Sequence, residues 1–258
     1  MRWVLAAVVA LGTPQAVVGQ IADRVAAAED GVVRFAYQTR QGVEICDQGV
    51  RMGERTLWWR SRHGGRGASS CREGLAQVDV TVRNGRVRDV ELVGDPSEAD
   101  ARALDLGTVP AEEAARFLLS LADEGGASRD AAEDAVLAAV IADVPEVWRD
   151  LLAIARDRTV DGDVRESALF WLGQEAADAA TAGLSGVALD QDEDQDVREA
   201  AIFALSQRPA DEAVPALIEV ARTGEELGTR RTAMFWLAQS EDPRVVDFFE
   251  RVLLGRIR

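Results

Sequence analysis

The chain has 258 residues, 47 % of them apolar, and a formal net charge of −16. That charge argues against nucleic acid as a partner, because phosphate binding needs a basic surface, and it disfavours anionic lipid surfaces. All 29 basic residues are arginine, which excludes Schiff-base and P-loop lysine chemistry; with one histidine (His63) and two cysteines (Cys46, Cys71), no enzymatic activity and no cofactor are expected.

Residues 1–20 read as a signal peptide. Arg2 is a minimal basic region, Trp3 to Leu11 an apolar run, and Val17-Val18-Gly19 a small-residue cleavage region. The run falls short of the roughly 20 apolar residues that span a bilayer. The expectation is export to a periplasmic or secreted location, with no membrane insertion after cleavage. The alternative is an N-terminal helix of the fold or an uncleaved anchor. Export to an oxidising compartment favours a Cys46–Cys71 disulfide over two free thiols.

Residues 21–95 read as a small β-rich domain. Val32 to Thr39 and Thr56 to Arg60 are rich in strand formers. Val78, Val80 and Val82 alternate with polar residues, and Asn84-Gly85 supplies a tight turn. The return strand carries Val87, Val90 and Leu92, whose change of parity predicts a bulge near Arg88-Asp89. A Gly- and Arg-rich loop runs from about Arg60 to Ser70 and holds His63. Residues 96–108 read as a linker.

From residue 109 the periodicity is helical and the sequence repeats. Asp130-x-x-Glu133, Asp163-x-x-Glu166 and Asp196-x-x-Glu199 recur every 33 residues, each in the pattern of a helix capping box; a degraded fourth copy starts at Thr229. Ala135, Ala168, Ala201 and Ala233 keep the register, small enough for close helix approach. Second helices repeat Leu118/Leu121, Leu151/Ile154, Leu184/Val187, Leu217/Val220 and Phe249/Val252. Pro110, Pro145, Pro215 and Pro243 are placed near the starts of second helices. The fold class predicted is mainly α: a solenoid of about four helical hairpins (residues 109–258) plus a capping helix at about 109–123, preceded by the small β-rich region.

These residues resemble HEAT-like repeats, including the PBS-lyase HEAT-like group. The carriers are Asp163-Val164-Arg165 with Ala168 and Leu172, Asp196-Val197-Arg198 with Ala201 and Leu205, and Thr229-Arg230 with Ala233 and Leu237. The arrangement also looks like exported bacterial HEAT-repeat proteins with a β-rich N-terminus. The resemblance implies a protein-interaction platform. It also implies an inter-repeat ladder of Asp163, Arg165, Asp196, Arg198 and Arg230, interrupted where Ala132 replaces the arginine. HEAT-type iron hydroxylases use His-Glu pairs, and the repeat region has no histidine.

Candidate partner-binding residues are Trp171 and Trp236, which recur in Phe-Trp pairs, and Gln174, Gln207 and Gln239, which end first helices. Hairpin packing is the alternative role for each. The Asp190–Asp196 segment resembles half a calcium loop, but Gln195 replaces the turn glycine and Ala201 the bidentate glutamate, which favours a solvated loop. Residues 96–258 hold 16 arginines against 34 acids, a net of −18, whereas 21–95 hold 12 against 11. The reading is therefore a non-catalytic, exported scaffold or adaptor for an unidentified protein partner, and the acidic helical surface would steer a basic one. The alternatives are an envelope hydrolase or transferase with its site in the β-rich region, and a divalent-metal-dependent structural protein.

Overall fold

The computed structural model describes residues 20–46, 49–52, 55–58, 71–94, 101–123, 126–175 and 178–255. The expected signal segment up to Gly19 and the loop holding His63 lie outside the described residues. The first element is α1 (Gln20–Ala27), a short helix that strand periodicity did not announce. It buries Ile21 and Val25, four residues apart on one face.

Strand β1 (Asp30–Gln38) buries Val33, Phe35 and Tyr37 at the period of two that a half-buried strand demands. It pairs antiparallel with β6 (Leu75–Arg83), which continues into β7 (Arg86–Leu92). Asn84 and Gly85 both take positive φ, 53° and 69°, the mirror-image turn that matches strand twist. Thr81 faces Asp89 while Val82 faces Val87, so Arg88 is the extra residue of the expected bulge.

The stretch read as a linker does not merely connect. Leu104–Thr108 forms β8, parallel to β1, and completes the sheet order β7-β6-β1-β8. An edge strand needs backbone pairing more than apolar side chains, so it carried no alternating pattern to read. A second sheet, ordered β4-β3-β2-β5, is built from β2 (Val43–Cys46), β3 (Gly49–Met52), β4 (Arg55–Trp58) and β5 (Cys71–Glu73). Cys46 and Cys71 face each other across β2 and β5 and are disulfide-bonded.

The helical part begins with α2 (Ala111–Asp123), followed by four hairpins: α3 (Arg129–Val140) with α4 (Val147–Arg156), α5 (Gly162–Gln174) with α6 (Asp178–Ala188), α7 (Gln195–Ser206) with α8 (Ala210–Thr223), and α9 (Leu227–Ala238) with α10 (Pro243–Leu253). Ala135, Ala168, Ala201 and Ala233 are all fully buried between neighbouring helices. Gly173 is required by the same closeness: a Cβ there would stand 2.8 Å from the Ala204 carbonyl oxygen.

The caps lie two residues earlier than expected. Ser128 and Asp161 are the N-caps of α3 and α5, accepting from the amides of Ala131 and Asp163, and Asp194 is the N-cap of α7. Asp130, Asp163 and Asp196 instead occupy the first turn, where a carboxylate still suits the positive helix end. Pro215 is a second departure: α8 starts at Ala210, so this proline lies inside the helix. Asp242 caps α10, and hydrogen bonds from the Arg244 side chain and backbone hold its carboxyl down at about 2.

Buried arginines tie successive hairpins together, but their carboxylate partners are not the expected aspartates. Arg165 donates to the Ala155 carbonyl and to Glu193 of the next unit. Arg198 donates to the Glu193 carbonyl and, at 2.6 Å, to Glu226 of the unit after that. Asp163 pairs with Arg129 of the preceding unit, at 2.6 Å. Among the described residues Asp196 makes no rung. Arg230 holds the carbonyls of Gly224 and Glu225 at 2.7 and 2.8 Å. The rung spacing is 28 residues, and 28 after Ala132 stands Val160. The first step thus replaces both members by apolar residues, each buried.

The β-rich part is docked on the first units. Tyr37, fully buried, donates its hydroxyl to the Ala138 carbonyl, and burial pushes its pKa up. Phe35 meets Phe117 of α2 edge-on, with ring centroids 6.0 Å apart. The amide of Arg40 donates to Ile141 at 3.0 Å, and that of Asp143 to Gln38 at 3.0 Å. The capping helix α2 is itself covered: Ala114, Phe117, Leu118 and Leu121 are all buried, and the sheet closes the N-terminal end of the stack.

Removing one member of a buried ion pair leaves an uncompensated charge and costs about 3–5 kcal/mol, whereas replacing both by apolar groups is close to neutral. Arg165→Ala should therefore lower the urea-unfolding free energy by about 3 kcal/mol or more. The double variant R165A/E193V, which copies the Ala132/Val160 step, should recover most of that loss. Equal destabilisation by the single and double variants would contradict this account of the rung.

Candidate functional site

The turns inside the hairpins line up along one edge of the stack, and a chain of arginines runs along it. Arg40, from the end of β1, pairs with Glu175 at 2.8 Å. Arg208 donates to the Glu175 carbonyl, to the Thr181 hydroxyl at 3.0 Å and to Glu212 at 2.8 Å. Its side chain fills the space between the second and third hairpins. The next residue in this series, 32 positions on, is Ser240. A serine cannot reach back as the arginine does, and a cleft of about 240 Å³ remains between the third and fourth hairpins.

That cleft gathers three of the five candidate partner-binding residues: Gln207, Trp236 and Gln239. Gln207 and Gln239 are the C-caps of α7 and α9, so the helix ends aim both amides at the hairpin edge. Arg208 and Ser240 line the walls, and Val214 and Leu217 supply apolar surface. Gln174 ends α5 one hairpin back, where Arg208 occupies the corresponding space. Trp171 is not available as a surface residue: it is buried, packed edge-on against Phe170.

Trp236 also ends a row of rings that crosses three first helices. Phe170 stacks on Phe203 with centroids 6.4 Å apart, Phe203 meets Trp236 at 5.1 Å, and Trp236 meets Phe235 at 5.2 Å. Phe170, Phe203 and Trp236 are half-buried and Phe235 is 55 % exposed. The row changes register at its last step: Phe203 corresponds in the repeat to Phe235 but touches Trp236, whose own counterpart is Ala204. Such a row offers apolar contact at low conformational cost.

The first turns of α3, α5 and α7 form an acidic ridge. Burial, then the neighbouring carboxylates Asp163 and Asp130, raises the pKa of Glu133; burial, then Asp163, Asp196 and Glu133, raises that of Glu166. The acidic 190–196 segment is arranged otherwise than a cation loop. Asp190 takes the Asp192 amide and Arg158, Glu193 turns inward to Arg165, and Asp194 begins α7. Among the described residues one group has metal-ligand spacing, Glu44 with Cys46 and Cys71, and both of its sulfurs are in the disulfide.

The hairpin stack with its buried arginine rungs places the C-terminal part of the chain among α-solenoid proteins. Residues 149–234 and 184–255 match the family model of HEAT repeats, so residues 149–255 are built of HEAT repeats. HEAT repeats generally mediate protein–protein contacts. No curated protein matches the chain. Among the described residues no helix is long and apolar enough to cross a membrane.

Arg208, Ser240, Glu193 and Glu226 escaped the sequence reading. The rung glutamates were detectable as a recurring 28-residue offset from Arg165 and Arg198. The cleft was detectable only by asking which repeat position loses a long side chain.

The raised carboxyls carry a pH signature. A folded-state pKa above the unfolded value means that the ionised form is disfavoured in the fold. Glu166 therefore reduces stability above its folded pKa, and the loss disappears as pH falls through that value. Glu166→Gln should raise Tm at pH 7 by about 1–2 °C. The difference should shrink as pH falls and vanish at about pH 3, below the unfolded glutamate value of about 4.3, where the wild-type carboxyl is protonated in both states. A Tm gain that persists unchanged at low pH would assign the effect to packing instead.

Proposed function

We propose that this chain is an exported, non-catalytic adaptor that holds a protein partner along the hairpin edge of its solenoid. The partner inserts a side chain into the cleft between the third and fourth hairpins. The observation that carries the reading is the convergence of Gln207, Trp236 and Gln239 on one opening that Ser240 leaves unfilled. A cleft walled by an indole and aliphatic groups, with two carboxamides at its rim, suits an apolar side chain whose flanking backbone bonds to the amides. The half-exposed rings from Phe170 to Phe235 extend the contact, and the acidic ridge steers a basic partner toward the stack. The Cys46–Cys71 bond supports an oxidising location, and it leaves neither thiol as a nucleophile.

A photo-crosslinking residue at Gln239, in protein expressed with its native leader, tests the reading in the envelope fraction. One dominant crosslinked protein is expected. It should be lost with Ser240→Arg, which fills the cleft as Arg208 fills the preceding space, and with Trp236→Ala. The S240R protein should keep its Tm within about 2 °C, since surface substitutions change little. Crosslinking that survives both substitutions would overturn the assignment of the cleft.

A further inference from the structure

Glu113, in the first turn of α2, is 7 % exposed, and its carboxylate reaches the start of α1. One oxygen, Oε1, accepts from the backbone amide of Ile21 at 3.4 Å, in a buried contact. The other, Oε2, is buried with no hydrogen-bond partner among the described residues. Among the same residues four carboxylates are buried. Asp79, Glu175 and Glu193 each have an arginine, namely Arg34, Arg40 and Arg165, and Glu113 has none. An ionised carboxylate held at this depth is costly until a cation meets it.

The place of that oxygen matches the end of the expected leader. Hydrolysis of the Gly19–Gln20 bond by a leader peptidase consumes one water, leaves a carboxylate on Gly19 and frees an amine on Gln20. That amine is largely protonated at neutral pH, since an α-amino group titrates at about 7.7–8.0. A cut one bond later puts the same group on Ile21. The first N–H groups of a helix lie together at its open end, so the ammonium stands beside the amide that Glu113 already holds. Burial of Ile21 and Val25 in the core keeps α1 in that place. A positive charge is unfavourable at a helix N-terminus, and a carboxylate facing it offsets that cost.

We propose that Glu113 is the receptor for the mature N-terminus: leader removal creates an α-ammonium that pairs with the open oxygen of Glu113 and ties α1 to α2. The processed chain gains a buried ion pair that the precursor lacks. This inference rests on the export part of the proposed function and is independent of the cleft at the hairpin edge.

The chain holds no lysine, so the α-amine is the one primary amine of the protein, and intact mass reads its acylation. The full chain is expressed with its leader in a secreting host, purified, and treated at neutral pH with an acetylating succinimidyl ester, both folded and in urea. A mass that begins at Gln20 or Ile21 is expected, with acetylation about tenfold slower in the folded protein than in urea, because a facing carboxylate holds the amine protonated. Glu113→Gln should bring the folded rate to within about twofold of the rate in urea. Wild-type protein acetylated in urea and refolded should lose about 3 °C of Tm, a readout that stands even if E113Q does not fold. A chain that keeps Met1 would overturn the export reading and this inference together. A processed chain whose amine reacts as fast folded as in urea, or as slowly in E113Q as in the wild type, would overturn this inference alone. So would a Tm unmoved by acetylation, or a Gln20 that has cyclised and carries no ammonium.

Discussion

A helical hairpin has two flanks and buries neither by itself, so each unit of this protein is stable only through its neighbours. The arginine rungs make that dependence specific. A guanidinium such as that of Arg165, with 2 % of its side chain exposed, satisfies the Ala155 carbonyl in the last turn of α4 and one carboxylate of the following hairpin at once. The same side chain therefore fixes the turn, the spacing and the rotation between units. The Arg165–Glu193 and Arg198–Glu226 rungs share the 28-residue offset and keep both members, as the cost of leaving a buried charge unpaired requires. At the first step the two partners become Ala132 and Val160 together, the change that this cost permits.

The ends of such a stack have to be resolved differently from its middle. At the N-terminal end a twisted sheet takes the place of a preceding hairpin. Phe35 and Tyr37 pack on α2 and α3, and backbone hydrogen bonds join Gln38 and Arg40 to the α3–α4 turn. Arg40 then enters the edge series that Arg208 continues, so the β-rich part behaves as an added repeat rather than an appended domain. The disulfide between β2 and β5 holds the smaller sheet, where few large apolar side chains are available to do so.

Contact surface in this protein comes from small departures within a regular pattern. Three first helices carry rings at corresponding positions and give a row of aromatics. One short side chain, Ser240, where the preceding unit has an arginine, gives a cleft. The repeat supplies the geometry, and single substitutions against the repeat supply the features that distinguish one unit from the next. This is how a solenoid gains a local site without altering its backbone.

The repeat, the number of hairpins, the Asn84-Gly85 hairpin and the bulge at Arg88 were all legible in the amino-acid order, because each rests on short-range periodicity or on backbone φ preference. The short helix α1, the edge strand β8 and the capping residues two positions upstream were not. Their residues lack a strong period, and their conformation is set by what the neighbouring backbone leaves unpaired. Trp171 and Trp236 hold equivalent repeat positions, yet one is buried and the other borders a cleft, since burial depends on which hairpin follows. The choice of Glu193 and Glu226 over the nearby aspartates, the docking of the sheet and the meeting of Gln207, Trp236 and Gln239 were likewise decided by tertiary structure. Local sequence determines which way a helix or strand runs and which face is apolar; which of many similar carboxylates and rings comes within reach depends on the angle and distance between units, and those arise only when all the units pack.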